Sequence, residues 1–310
     1  MLSQRVPELT SLQMLSVVAR TGSLHLAAAE LEVSQQALSQ RVRAMEARVG
    51  VSLLTRGPRG STLTSSGRLI VQWASRVLDA AAELDAGITS LRTDRIDRIK
   101  VVASLTVAEH LMPRWMVALR DQQVRDGQPT TSVELEGANS VTVIELVSKG
   151  AADLGFVEGP RAPRNLRSRT VGQDELLVVV PVSHPWARRR RPITATELAA
   201  TPLVTREPGS GTRQTLTAAL AEALPGVPHA DPVLELTGAA SVKAAIIAGA
   251  GPGAMSSLAV ADDIALGRLR SIPVEGVDLI RSLRAVWSGS TYPPGGPVRE
   301  LVTVAARTTW

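Results

Sequence analysis

The sequence predicts an α/β chain in three parts: a helix-rich winged helix-turn-helix domain over residues 1–64, a long linker helix over 65–95, and a two-lobed α/β domain over 96–310. Three patterns support this fold class. Capped helical repeats of apolar residues occupy the first part, a seven-residue apolar repeat occupies the second, and strands alternate with helices in the third. A chain of 310 residues also exceeds one hydrophobic core, which favours several domains.

The first part contains two short helices joined by a tight turn. Ser23 and Ser34 are placed to cap them, because a serine side chain before a helix accepts a backbone N–H. One face of the second helix is apolar and carries Leu38, Val42, Met45 and Val49. The opposite face is polar and carries Gln36, Ser39, Gln40 and Arg43. Such amide and guanidinium groups can pair with base edges in a DNA major groove, although an ordinary surface helix also has a polar face.

The distribution of charge also favours DNA binding. The net charge is +5, and residues 1–68 hold eight arginines against four glutamates. Most of the positive charge therefore lies in the first fifth of the chain, which suits contact with a phosphate backbone.

A helix over residues 8–20 precedes this pair, and a hairpin follows it. Gly50 is placed to end the second helix. Two short predicted strands, 51–56 and 61–64, flank a Gly-Pro-Arg-Gly turn, which predicts a β-hairpin wing. Arg56 and Arg59 on this wing would reach phosphate or the minor groove.

Residues 65–92 predict one helix about 42 Å long, at 1.5 Å of rise per residue. Ile70, Val77, Leu84 and Leu91 recur every seven residues, which is typical of a coiled-coil seam. We expect this helix to join two copies of the chain. The alternative is that it packs on its own domain.

Strand–helix alternation from residue 98 onward predicts parallel sheets covered by helices. We place lobe I at 96–162 and 272–310 and lobe II at 163–271, with a first crossover at 159–163. The predicted strands are 99–103, 132–136, 152–157, 176–180, 202–205, 233–236 and 282–287. The predicted helices are 106–120, 140–149, 195–199, 211–223, 239–249 and 297–307.

Polar residues follow several of these strands, at the edge where open α/β sheets bind ligands. Helix N-termini there offer free N–H groups, so the pattern predicts a cleft for a small anion or carboxylate. The candidate ligand residues are Ser104, Thr106, Asn139, Ser140, Glu158, Arg206, Ser210, Gly211 and Thr212. Plain N-capping is the alternative role for the hydroxyls.

Composition narrows the function classes. The chain has no cysteine, and its four histidines lack metal-ligand spacing, so we expect no disulfide and no metal site. We find no nucleophile elbow or other catalytic constellation and expect no enzyme activity and no cofactor. No secretory signal and no apolar run of about 20 residues is evident, so we expect a cytoplasmic protein without a membrane partner.

The chain resembles the LysR-type transcriptional regulators along essentially its whole length. In the first part the resemblance is carried by Gly22-Ser23, Ala27-Ala28, Val33-Ser34-Gln35, Ala37-Leu38-Ser39, Glu46, Gly50-Val51, Leu53-Leu54, Arg56, Leu63-Thr64 and Gly67. Further on it is carried by Ala152-Asp153-Leu154-Gly155, His184-Pro185-Trp186-Ala187 and the run from Arg206 to Thr212. The resemblance implies an effector domain similar to the type 2 periplasmic-binding-protein fold.

The resemblance also implies a function and its residues. It implies a regulator that binds double-stranded promoter DNA as a dimer or tetramer, under control of a small-molecule co-inducer, with RNA polymerase as a candidate partner. The residues expected to face bases are Gln35, Gln36, Ser39 and Gln40. The residues expected to meet phosphates are Ser34, Arg43, Arg56, Arg59 and Thr64.

Two other function classes compete with this interpretation. An architectural or replication-control DNA protein would need no effector, and the predicted cleft argues against it. A solute-binding protein or enzyme would not need the N-terminal helices.

Overall fold

The protein is represented by a computed structural model that describes residues 3, 5–57, 60–92 and 98–307. These residues separate into two compact units, Met1–Thr89 and Ser90–Trp310. No helix among the described residues is both long and apolar enough to cross a membrane.

The first unit begins with three helices, α1 (Leu9–Thr21), α2 (Leu24–Glu30) and α3 (Gln35–Val49). The predicted serine caps are confirmed: Ser23 accepts the N–H of Leu26, and Ser34 accepts the N–H of Ala37 at 3.1 Å. Gly50 ends α3 in the left-handed region with φ of 83°, where a residue without Cβ is favoured.

A shared core holds these helices together. The predicted inward face of α3 is confirmed at Leu38, Val42 and Met45, which are buried. The rest of the buried core in this unit is Leu12, Met14, Leu15, Val18, Leu24, Ala27, Ala28, Leu53, Leu54 and Ala74. These side chains come from every helix of the unit, so α3 is fixed by tertiary packing and its polar side is turned outward.

A two-stranded hairpin follows α3, as predicted. Strands β1 (Leu54–Gly57) and β2 (Gly60–Leu63) pair antiparallel, with Leu54 opposite Leu63. Glu46 ties the hairpin to α3, because its Oε1 accepts the N–H groups of Leu53 at 2.7 Å and Leu54 at 3.1 Å. The start of the hairpin is thus fixed to α3.

Helix α4 spans Ser65–Arg92, the range predicted from the heptad pattern. One side packs on the first unit through buried Ala74 and half-buried Ile70 and Leu78. Another side remains apolar and exposed; its members are Leu69, Trp73, Val77 and Leu84. The helix therefore packs on its own unit and also leaves an apolar stripe outside it. The side chain of Leu91, the last predicted seam residue, lies outside the described residues.

Lobe I of the second unit is built on a parallel core of three strands. They are β3 (Arg98–Ser104), β4 (Ser132–Ala138) and β5 (Leu154–Gly159), ordered β4-β3-β5. The covering helices are α5 (Leu105–His110), α6 (Met112–Arg125), α7 (Ser140–Ser148) and α12 (Pro297–Arg307). The single helix predicted over 106–120 is wrong: the helix breaks at Leu111, because Pro113 lacks the N–H that would continue the ladder.

Lobe II repeats the plan with parallel strands β8 (Val204–Arg206), β9 (Leu234–Leu236) and β10 (Gly253–Ser256). Strand β11 (Leu269–Ile272) pairs antiparallel with the long strand β6 described below. Strands β7 (Ile193–Thr194) and β12 (Val274–Glu275) form a separate parallel pair. The helices are α8 (Ala195–Ala199), α9 (Gly211–Ala223), α10 (Ala239–Ile247) and α11 (Ser257–Ala265). Sequence analysis missed β10, α11 and β11.

One long strand and one returning segment join the lobes, and here the predicted boundaries are wrong. Strand β6 runs over Arg167–Pro181, not only 176–180. Its first half pairs antiparallel with β13 (Ile280–Trp287) in lobe I, and its second half pairs with β10 and β11 in lobe II. The passage between lobes therefore falls within β6 rather than at 159–163. The chain returns after β12, later than the predicted residue 272.

The continuous strand makes one mixed sheet across both lobes. Over the described residues its order is β4-β3-β5-β13-β6-β10-β8-β9, with β11 also on β6. The sheets are thus not purely parallel as predicted, since the crossing strands run antiparallel to their neighbours. The lobe I core includes Trp115 and Phe156, whose ring centroids are 5.0 Å apart.

Candidate functional site

The outward face of α3 is a row of exposed polar side chains. Gln35, Gln36, Gln40 and Arg43 are exposed, and Ser39 is half-buried. Their opposite face is anchored in the core, so the backbone that presents them is rigid. Long amide and guanidinium groups on a rigid helix can donate and accept hydrogen bonds on an incoming partner.

Among the remaining DNA-binding candidates, Ser34 and Thr64 form local hydrogen bonds. Ser34 caps α3, and Thr64 Oγ1 donates to Ser52 O at 2.8 Å and accepts the N–H of Gly67 at 2.9 Å. Both side chains thus hold local structure, and their phosphate contacts stay predictions. Arg56 lies on β1 but its side chain is outside the described residues, as is all of Arg59.

In the second unit, a small cavity lies between the two lobes. Three predicted ligand residues line it, namely Thr106 of lobe I and Arg206 and Thr212 of lobe II. The other lining residues are Ala239, Val242, Ala254, Met255, Ser256 and Ala259. The cavity therefore has a polar side made of hydroxyls and a guanidinium, and an apolar side made of small aliphatic side chains.

Arg281 is the residue that sequence analysis missed. It lies on β13 and is 1% exposed, and its Nε donates to Asp174 Oδ2 at 2.8 Å. Its other nitrogens donate to Thr212 Oγ1 at 3.0 Å and Thr106 Oγ1 at 3.3 Å, so it bridges the lobes. One sequence signal could have found it. Alternate residues of a strand share a face, so Arg281 lies on the same buried face of β13 as Leu283.

Two further groups complete this buried network. Glu158 Oε1 accepts the hydroxyl of Thr106 at 3.3 Å and lies 3.6 Å from Arg281. Asp174 Oδ1 accepts the hydroxyl of Ser256 at 3.0 Å. The hydroxyls of Thr212 and Ser256 thus each bind one member of a charged cluster behind the cavity wall, and that of Thr106 binds two.

Arg206 has its own counter-ion. Its Nε donates to Glu207 at 2.7 Å and a second nitrogen donates to the same carboxylate at 2.9 Å. Burial opposes ionisation of Glu207, but hydrogen bonds from Arg206 and from the backbone, together with the charge of Arg206, outweigh it and keep the pKa of Glu207 below the ordinary value. The guanidinium of Arg206 is therefore held in one orientation at the cavity, and its charge is balanced by that of Glu207.

The other cleft candidates serve different roles. Asn139 caps α7, since its Oδ1 accepts the N–H of Thr142 at 3.0 Å. Ser140 Oγ donates to the carbonyl of Glu158 at 3.1 Å. Ser104 and Ser210 form no side-chain cap bond, so the plain-capping alternative is not what buries them.

The two lobes also touch directly. The N–H of Val141 in lobe I donates to the carbonyl of Gly209 in lobe II at 3.3 Å. A Cβ at Gly211 would lie 2.3 Å from the carbonyl oxygen of Glu158, so glycine permits this approach. The described residues contain no cluster of histidine and acidic side chains able to hold a metal ion.

Comparison with known proteins identifies the family. Residues 9–68 match the family described as the bacterial regulatory helix-turn-helix protein, lysR family, and residues 92–308 match the LysR substrate binding domain. The chain belongs to the LysR family of transcriptional regulators. It is therefore a DNA-binding regulator with a substrate-binding domain and not an enzyme.

Individual relatives agree with the family. An uncharacterized HTH-type transcriptional regulator of Mycobacterium tuberculosis is 51% identical over 310 residues, covering 99% of each chain. The structure of CbnR with its target DNA has a TM-score of 0.51 at 21% identity, covering 97% of this chain and 100% of that one. The regulatory domain of Synechocystis CcmR, solved with 2-PG, has a TM-score of 0.58 at 18% identity, covering 68% and 96%. These two solved structures share its fold.

Proposed function

We propose that this LysR regulator binds a specific promoter sequence through α3 and responds to a small effector held between its two lobes. The observation that carries the proposal is the cavity bounded by Thr106 and Thr212, one from each lobe. A ligand there contacts both lobes, so its binding free energy depends on how they are arranged. Such differential binding is what couples a ligand to a conformational equilibrium.

The DNA-binding part of the proposal is supported by the surface of α3. Gln35, Gln36, Ser39 and Gln40 are assigned to base edges, where amides pair with adenine. Arg43, Ser34 and Thr64, with Arg56 and Arg59 of the wing, are assigned to phosphates, which fix the register. CbnR, which has the same fold, was solved on its target DNA.

We assign dimer formation to α4. Its stripe of Leu69, Trp73, Val77 and Leu84 is exposed on the single chain, with Trp73 at 56% and Leu84 at 65%. A second copy of the helix would bury these residues, as apolar side chains repeating along a helix do in a coiled coil. Two copies would also present two α3 helices to a palindromic site.

The effector is proposed to carry an anionic group, such as a carboxylate. Arg206 provides guanidinium hydrogen bonds at the cavity, and the N-terminus of the 13-residue helix α9 begins at Gly211 beside Thr212. Helix N-termini favour anions through their free N–H groups and dipole. We place the protein in the cytoplasm, where promoter DNA is.

The test is fluorescence anisotropy of the full chain on the promoter region beside its own gene, with excess non-specific competitor. We expect binding that survives competitor and is weakened by Gln40→Ala by about 1–3 kcal/mol, the range for a lost base contact. The matched control is Gln13→Ala, which removes an exposed glutamine from α1.

Three outcomes would contradict the proposal. Binding abolished by competitor would favour an architectural DNA protein. Equal weakening by Gln13→Ala would remove the assignment of α3 to base reading. Binding, footprint and transcription that are unchanged by every small anion tested would exclude the effector part.

A further inference from the structure

The arginines of α3 lie along two different lines of the helix. Arg43 belongs to the outward polar row, which consists of Gln36, Ser39, Gln40 and Arg43. Arg41 and Arg48 lie together on another line, because seven residues are close to two helical turns. Both are exposed, and neither forms an ion pair or a side-chain hydrogen bond among the described residues. The function proposed above leaves these two cations without a role.

Arg41 and Arg48 border an open groove between α3 and the start of α1. The other residues that line it are Pro7, Glu8, Ser11, Ala44 and Met45. Its volume is about 430 Å³, many times the roughly 30 Å³ that one water molecule occupies in the liquid, so a hydrated phosphate group fits. The two guanidinium groups outnumber the single carboxylate of Glu8, so the groove favours an anion.

The groove and the hairpin lie on opposite flanks of α3. Glu46 marks the hairpin flank, because its carboxylate accepts the backbone N–H groups at the start of the hairpin. It is five residues after Arg41 and two residues before Arg48. At about 100° per residue, it therefore lies about 140–160° around the helix from the two arginines. The outward polar row lies between the two flanks.

This arrangement suits a helix that lies in a DNA major groove. The major groove is about 12 Å wide and a helix with its side chains is about 10–12 Å across, so the backbones of both strands flank the helix. When the outward polar row faces the bases, the hairpin flank meets one strand and the arginine flank meets the other. Ala37 and Ala44, each one turn before an arginine of this flank, are small and let the DNA backbone approach.

We propose that Arg41 and Arg48 bind backbone phosphates of the DNA strand opposite to the one that the hairpin contacts. This inference rests on the proposed function, in which α3 enters the major groove. The two arginines are about 10.5 Å apart along the helix axis, at 1.5 Å per residue, and one strand carries a charge about every 3.4 Å, so they reach separate phosphates. Contacts to both strands fix the register of α3 without reading sequence. The carboxylate of Glu8 lies in the same groove and repels the phosphates.

The test is a salt series by fluorescence anisotropy with the full chain. The probes are the promoter region beside its own gene and a random-sequence duplex of the same length. Arg41→Ala and Arg48→Ala should each reduce the slope of log affinity against log salt by about one unit on both duplexes, because phosphate contacts are independent of sequence. Arg41→Lys keeps the charge and should keep the slope. Glu8→Gln should strengthen binding to both duplexes.

The matched control is Arg120→Ala, which removes the same charge from an exposed position of α6 in the second unit and should leave the slope unchanged. Ethylation interference on the promoter duplex assigns the strands. The phosphates whose ethylation no longer weakens binding by Arg41→Ala should lie on one strand, and those for Arg56→Ala of the hairpin on the other.

Thermal unfolding of each variant reports on folding. Arg48 lies in the last turn of α3, where a cation also stabilises the helix end. If Arg48→Ala unfolds, Arg41→Ala and Glu8→Gln still decide the question.

Unchanged slopes in the folded arginine variants, an equal loss in Arg120→Ala, or interference by both flanks on one strand would overturn the inference. The random-sequence duplex separates this result from the proposed function. Reduced slopes with no preference for the promoter would reject sequence-specific regulation and keep the phosphate contacts. Specific promoter binding with unchanged slopes would keep the regulator and reject these contacts alone.

Discussion

The outward face of α3 and the polar wall of the cavity differ in how their side chains are satisfied. On α3, Gln36, Gln40 and Arg43 are exposed to solvent. Behind the cavity wall, Arg281 and Glu158 are buried and bonded to residues far away in the chain. Substitutions on the exposed face of α3 should therefore change DNA binding without changing the free energy of unfolding. Substitutions in the charged cluster around Arg281 should change both the free energy of unfolding and effector binding.

The largest expected effect is at Arg281. Arg281→Leu leaves Asp174 and Glu158 buried without their cation, so the free energy of unfolding should fall by about 3–5 kcal/mol. Urea denaturation followed by tryptophan fluorescence measures it, since Trp115 and Trp287 lie in the lobe I core.

The matched control is Arg98→Leu, which removes an exposed arginine paired with Glu134. Its loss should stay below about 1 kcal/mol. A similar loss of unfolding free energy in both variants would show that the buried cluster stabilises the protein no more than an exposed ion pair does.

A second prediction concerns Asp263 in lobe II. Its pKa lies below the ordinary value because Lys243 and Arg268 donate hydrogen bonds to it, although burial opposes the shift. The carboxylate therefore stabilises the fold fully above its ordinary pKa of 3.8, and this contribution is lost as pH falls through the depressed pKa.

Asp263→Asn should cost about 1–3 kcal/mol at pH 7, as for hydrogen bonds to a charged group, and less near pH 3. Denaturation at both pH values measures the difference. Asp121→Asn, an exposed residue of α6, is the control. A cost for Asp263→Asn that does not change with pH would refute the ion-pair explanation.

A third prediction compares two serines at helix starts. Ser34 caps α3 and Ser104 caps nothing, so Ser34→Ala should cost about 1 kcal/mol of stability. Ser104→Ala should cost nothing measurable, because it removes a buried hydroxyl that has no partner among the described residues. Thermal unfolding of the two variants gives the answer, and the reverse order would mean that Ser104 is a structural residue.

The smallest effect on folding is expected at Arg43. Arg43→Ala should leave the free energy of unfolding within about 0.5 kcal/mol of the parent. It should nevertheless reduce the slope of log affinity against log salt on promoter DNA by about one unit. A salt series by anisotropy tests this, and an unchanged slope would remove Arg43 from the phosphate contacts.

The same comparison explains what the sequence could predict. The caps Ser23 and Ser34, the inward face of α3 and the range of α4 depend on neighbours within one or two helical turns, so local spacing was sufficient. The ends of strands also located Thr106, Arg206 and Thr212 at the cavity, because strand ends in an α/β sheet meet at one edge.

Long-range partners were beyond such reasoning. Arg281 reaches Thr106, which is 175 residues earlier in the chain, and no periodicity encodes that contact. The length of β6 was missed because its first half, exposed over Arg167–Thr170, lacks the apolar run of a buried strand. The register shift opposite Leu283 and Arg284 further obscures its alternation.

The route of the chain between the lobes has a mechanical consequence. Strand β6 passes from lobe to lobe without a loop, and the N–H of Leu176 donates to the carbonyl of Leu279 on the returning segment at 3.0 Å. The lobes are therefore joined by two hydrogen-bonded extended segments and not by a loop. Rotation of one lobe against the other must then change the twist of this sheet and not the conformation of a single loop.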